Sequence, residues 1–139
     1  MEPTVTHLNP EGMHSNPAFT QAVAVSGNVK TIYIGGQNAV SAEGQIVGDT
    51  LATQSEQVFK NLEIVVVAAG VELHDIIKMT IYVVQGQDIV PGFMVFQQAW
   101  GASARPPAIS LIMVAGLANP AFLVEIEAIA VTRAETSPD

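Results

Sequence analysis

Two carboxylates sit in a stretch that is otherwise hydrocarbon. Residues 107–129 read PAISLIMVAGLANPAFLVEIEAI, and Glu125 and Glu127 are the only ionisable side chains among them. On a strand, residues i and i+2 share a face. Both carboxylates therefore point one way, while Val124, Ile126 and Ala128 point the other. A carboxylate held in a cleft can position water, take a proton from it, or accept a hydrogen bond from a ligand. Glu125 is the candidate for such a role. Glu127 reads as part of a polar strand face that meets solvent or a partner's cation.

Other routes to chemistry are poorly supplied. There is no cysteine, so neither a thiolate nucleophile nor a disulfide framework is available. His7, His14 and His74 lack the i, i+4 spacing of helical metal ligands, and no metal site is expected. The glycine-bearing SGN, IGGQ and SAEG stretches lack the spacing and the Lys-Ser or Lys-Thr of a phosphate loop, so they read as turns and no cofactor is expected. Ser26, Ser41 and Ser110 lack the strand-to-helix elbow of a serine nucleophile. Met79, Met94 and Met113 occupy core-like positions, where a methionine fills gaps.

The elements that must carry these residues can be read from periodicity. TVTHL (4–8) alternates as a short strand, followed by a turn-rich loop. Residues 22–36 read as a hairpin turning at Gly27-Asn28, and residues 41–48 as a turn with a stub of strand. From an N-cap at Asp49 or Thr50, apolar or small residues recur at Leu51, Ser55, Val58, Phe59, Leu62, Val65, Val66 and Ala69. This is a helical stripe closed by Gly70. A strand over 75–84, a helix over 88–101 near Pro91, and strands over 108–116 and 121–133 complete the order β-β-β-α-β-α-β-β. The pattern predicts one α+β domain over residues 1–133, with two helices on one face of a mixed sheet and a polar tail at 134–139. No further helix remains for the other face, so a second copy is expected to cover it.

Composition narrows the partners. Of 139 residues, 49% are hydrophobic and only 13% charged, which favours a single well-packed domain with apolar surface left for self-association. The net charge is -8, and Lys30, Lys60, Lys78, Arg105 and Arg133 are the only permanent cations. Nucleic-acid binding needs a dense basic patch, which five scattered cations do not make. No run is long and apolar enough to span a bilayer, and MEPTVTHLNPEG lacks the pattern of a signal peptide. No membrane partner is expected, and the expected location is cytoplasmic.

NPAFTQAVAVSGNVKTIYIGGQ, NLEIVVVAAGVELHDIIKMTIYVV and PAISLIMVAGLANPAFLVEIEAIAV together resemble the Rid family, the YjgF-like reactive intermediate deaminases, some of which carry an older endoribonuclease label. The resemblance implies a chorismate-mutase-like α+β fold and a homotrimer whose sheets line a central barrel, with ligand clefts between subunits. It also implies hydrolysis of enamines and imines shed by pyridoxal-phosphate enzymes, giving ammonia and a 2-keto acid. The family's signature begins Pro-Ala-Arg-Ser, and its arginine grips the substrate carboxylate. Here the matching residues are Pro107-Ala108-Ile109-Ser110, so Ile109 replaces the arginine. The glutamate credited with positioning water matches Glu125. The family's pocket tyrosine aligns with Phe19, and its pocket serine with Gly35.

A guanidinium gives a carboxylate two charge-assisted hydrogen bonds of roughly 1.5–3 kcal/mol each, and an isoleucine gives none. Arg105 is the nearest replacement, but it lies four residues upstream, about 13 Å of extended chain. The expected function is binding, with or without hydrolysis, of a small enamine- or imine-like metabolite other than simple 2-imino acids. The site would draw on Glu125, Phe19, Gly35, Ile109 and Arg105. The rival expectation is a non-enzymatic trimeric binding or regulatory protein. Ribonuclease activity is disfavoured, because the chain is acidic and has no histidine pair spaced for acid-base cleavage.

Overall fold

The structure, a computed structural model, describes residues 2–134. It contains strands β1 (Thr4–Leu8), β2 (Ala22–Ser26) and β3 (Val29–Gln37), then helix α1 (Leu51–Ala68). Strand β4 (Ile76–Val84), helix α2 (Val90–Trp100), and strands β5 (Ala108–Val114) and β6 (Val124–Arg133) follow. The α+β class and the order of elements agree with the periodicity. All but the first residue of the proposed tail lies outside the described residues.

Helix α1 is closed at both ends by its own sequence. The Thr50 hydroxyl accepts from the Thr53 amide, and the Thr53 hydroxyl accepts from the Thr50 amide, a reciprocal capping box. At the other end Gly70 (φ +78°) turns the chain, with Gly70 N–H donating to Val67 O and Val71 N–H to Val66 O. These two bonds form a Schellman motif. The Lys30 ammonium reaches across from β3 to Ala69 O at 2.8 Å, placing a cation at the negative end of the helix. Helix α2 begins with Pro91 in its first turn, where no amide bond is lost, and Asp88 Oδ1 accepts from Val90 N–H.

Four strands form the main sheet in the order β3-β6-β4-β5. Its pairs are antiparallel except β4 and β5, which run parallel and are joined through α2. Met79, Val83, Ile126, Ala128 and Ala130 project from one face into the core and meet Val58, Leu62 and Val66 of α1, with Phe96 and Trp100 of α2 packed alongside. Among the described residues no helix covers the opposite face. Tyr33 lies on it, 80% exposed.

The expected hairpin at Gly27-Asn28 is not formed. Strand β2 pairs with β1 in a separate two-stranded sheet, whereas β3 pairs with β6. A type I′ turn needs φ above zero at both central residues, and here only Gly27 (φ +94°) has it. Gly27 instead serves a close approach, because a Cβ there would lie 2.5 Å from the Glu2 carbonyl oxygen. The stub of strand within 41–48 reduces to a single bridge between Val40 and Ile46. Strand β6 starts at Val124 rather than 121, because Asn119 turns the chain first: its side chain accepts from Ala121 N–H and its carbonyl from Phe122 N–H.

Candidate functional site

The predicted site residues fall on two sides of the sheet. In the ladders, Glu125 stands opposite Tyr82, and Tyr82 opposite Ile112. Met79 stands opposite both Ala128 and Ile109. Ladder partners share a face, so Ile109 lies on the helix-covered side with buried Met79, and Glu125 lies on the helix-free side. A single chain does not bring Ile109 and Glu125 into one pocket.

On the helix-covered side, a cavity of about 410 Å³ opens between the helices and the sheet. Val83, Val124 and Ile126 form its floor, Leu51, Ser55, Phe59, Phe93 and Phe96 its walls, and Ile89, Val90 and Leu111 contribute at its rim. Phe19 and Ile109 both line it. Their proximity has a local cause. Buried Thr20 donates its amide to Pro107 O (3.0 Å) and its hydroxyl to Pro106 O (2.6 Å), which fastens the 18–20 segment to the start of β5. The Phe19 and His14 rings pack in a T-shaped arrangement at a centroid distance of 6.1 Å. Ser55 carries the only polar side chain among the described lining residues. None of these described residues offers a charge to a carboxylate, whose desolvation costs several kcal/mol when unpaired.

On the helix-free side, Glu125 is half-buried and held from two directions. Asn38 Nδ2 donates to its Oε1 at 3.0 Å. Asn38 is fixed in turn, because Asn61 of α1 donates to Asn38 O and Val40 O, both at 3.0 Å, and Gln57 donates to Asn61. The carboxylate lies over Gly36, where a Cβ would stand 2.4 Å from Oε2. Gly35 is different: a Cβ there meets nothing within 4 Å. Glu127 is exposed and accepts a hydrogen bond from the Tyr82 hydroxyl at 2.9 Å. That bond, then burial, then the charges of Glu127 and Glu125, push the Tyr82 pKa above the usual phenol value. Lys78 shares this face and donates to Ser110 Oγ at 2.8 Å.

Arg105 is exposed and does not line the cavity. Its charge is felt at His7, whose pKa is lowered first by burial and then by the Arg105 guanidinium. His74 is tied to the Trp100 carbonyl at 2.6 Å and packs edge-on against the Trp100 ring. Among the described residues no group of three His, Cys, Asp or Glu side chains converges as metal ligands would, and no helix is long and apolar enough to cross a membrane.

Sequence reasoning missed Asn38 and Gly36 as the holders of Glu125, and missed the helical half of the cavity. The doubled glycine at 35–36 was the available signal for the first. The poorly amphipathic VPGFMVF of α2 was the signal for the second.

Comparison with known proteins agrees with this fold. The sequence model described as endoribonuclease L-PSP matches residues 12–132. A RutC family protein of Pyrococcus horikoshii is 34% identical over 113 residues, 81% of this chain and 85% of that one. A protein of Bos taurus named 2-iminobutanoate/2-iminopropanoate deaminase is 34% identical over 114 residues, covering 81% of this chain and 79% of its own. A crystal structure from Yersinia pestis, titled a protein of unknown function of the conserved Rid protein family, superposes with a TM-score of 0.79. It is 36% identical and covers 91% of this chain and 97% of its own. With two helices on one side of a mixed sheet and a family match running through Ile109 and Glu125, this chain belongs to the Rid family of YjgF-like proteins.

Proposed function

We propose that this chain binds a small imine- or enamine-like metabolite in a cleft between copies of itself, and that simple 2-imino acids are not its substrates. The observation that carries this reading is Ile109 lining an uncharged cavity. The division of the site between two faces supports a cleft shared by copies. The cavity of one copy would supply binding, and Glu125 of a neighbour in a homotrimer would supply the carboxylate. The cleft would then add water across a C=N bond. The Glu125 carboxylate takes a proton from water, the oxygen adds to carbon, and the π pair goes to nitrogen, which collects that proton from the Glu125 carboxyl. The resulting carbinolamine gives its hydroxyl proton to nitrogen by way of Glu125, expels ammonia and leaves a carbonyl. Asn38 and Gly36 would hold the carboxylate in place for the first step.

Ammonia release from a freshly generated imine without a carboxylate tests the reading, run beside Glu125→Gln. Turnover by the parent and its loss in the variant are expected. Turnover that survives Glu125→Gln overturns the role given to this residue. One observation favours a second reading, a binding protein without catalysis: no titratable side chain lines the cavity among the described residues. A parent that binds such an imine without turnover would select it.

A further inference from the structure

We propose that the cavity between the two helices and the sheet takes an uncharged, ring-bearing apolar molecule, one per chain. This deepens the function proposed above and rests on the same site. Size is the first argument. A cavity of roughly 150 Å³ lined by aliphatic and aromatic side chains accommodates benzene. The 410 Å³ here is more than twice that, room for two fused rings carrying a further ring or a short chain.

Chemistry is the second argument. Phe19, Phe59, Phe93 and Phe96 all line the cavity, offering faces and edges to an aromatic guest. Among the described residues of the chain itself neither a cation nor a carboxylate lines it, so a charged group lodged inside the cavity would be desolvated without compensation. Ser55 offers one hydroxyl, enough to orient a single polar substituent. The shape is the third argument. Val124 and Ile126 at the floor are almost fully buried, whereas Val90 and Leu111 at the rim are 56% and 46% exposed. The cavity is thus deep and closed below, with an apolar mouth.

A matched pair of fluorescent probes isolates charge on one skeleton: neutral N-phenyl-1-naphthylamine and its sulfonated analogue 8-anilino-1-naphthalenesulfonate. Titrated into the full chain in its native assembly, the neutral probe should saturate at one per chain and bind about tenfold or more tighter than the sulfonate. Ile109→Arg should cancel or reverse that preference, and Phe93→Trp should weaken the neutral probe about tenfold by filling space. Ile64→Lys, on the exposed outer surface of α1, should change neither. If the cavity variants fold poorly, the unaltered chain still decides the matter, because the neutral probe alone should raise its melting temperature.

Equal affinity for the two probes overturns the proposal, as does indifference of the neutral probe to both Ile109→Arg and Phe93→Trp. Loss of probe binding as the chain self-associates gives the cavity to a second copy and also overturns it. The reaction proposed above fails separately. Probe binding without imine turnover removes the reaction and leaves the cavity's ligand class. Turnover without probe binding does the reverse.

Discussion

Replacing Gly36 by alanine should displace the Glu125 carboxylate while leaving the sheet folded. The new Cβ would stand 2.4 Å from Oε2 and 2.8 Å from Cδ, short of ordinary contact by about 1 Å at the nearer atom. Gly36 does not use a left-handed φ, so alanine fits the backbone and the conflict falls on a side-chain tip that can swing away. The swing breaks the 3.0 Å bond from Asn38. A hydrogen bond to a charged group is typically worth about 1.5–3 kcal/mol, but water replaces the amide at a half-buried carboxylate, so about 1 kcal/mol is the expected loss. Removing a glycine from the unfolded chain returns about 0.4–1 kcal/mol. The net change should lie within about 1 kcal/mol, a few degrees in melting temperature for a domain of this size. Gly35→Ala has open space around it and should be neutral or slightly stabilising. Thermal unfolding measures the stability of both variants, and a crystal structure of Gly36→Ala shows where the carboxylate goes. A loss above about 3 kcal/mol, or a carboxylate that stays in place, would refute this account of how Glu125 is held.

Other expectations can be checked with single variants. Gln54 is buried, donates to Gly48 O (3.1 Å) and Ala121 O (2.8 Å), and accepts from Leu123 N–H (2.8 Å). Gln54→Leu strands three backbone groups and should cost about 2–4 kcal/mol in denaturant unfolding, and a loss under about 1 kcal/mol would contradict the clasp. In a Tyr33→Phe background Tyr82 is the only tyrosine, so tyrosinate absorbance reads it alone. Its midpoint should lie above the ordinary value of about 10, and Glu127→Gln should lower it. Because the folded state holds that proton more tightly, the contribution to stability is present below the unfolded pKa and lost as pH rises through the folded one. His7 behaves oppositely: its folded pKa is depressed, so its contribution is present above about 6.5 and lost as pH falls through the folded value. NMR titration should show that Arg105→Ala raises the His7 pKa part of the way. No change would remove Arg105 from that neighbourhood.

How much of this was legible in the sequence depended on whether the information was local. The stripe from Leu51 to Ala69, with Thr50 before it and Gly70 after, was enough to delimit α1, since caps and period are properties of adjacent residues. Gly27-Asn28 misled because a two-residue turn signal does not say which strands pair. Strand β2 found β1, and β3 found β6. The parity of Glu125 and Glu127 on one face followed from the strand period. That Ile109 faces the other way followed only from the registers linking β5 to β4 and β4 to β6, long-range pairings that no local pattern encodes. Apart from the hint in VPGFMVF, the cavity escaped for the same reason, being assembled from α1, α2, three strands and the Phe19 segment.

Ammonia release from freshly generated 2-iminopropanoate, measured for the parent and for Ile109→Arg at equal assembly state, tests the central claim most directly. An apolar residue where a carboxylate would need a cation predicts an inactive parent and an active variant. Turnover of the 2-imino acid by the parent would contradict it, and would mean that a cation reaches the cleft from elsewhere, with Arg105 the first to test.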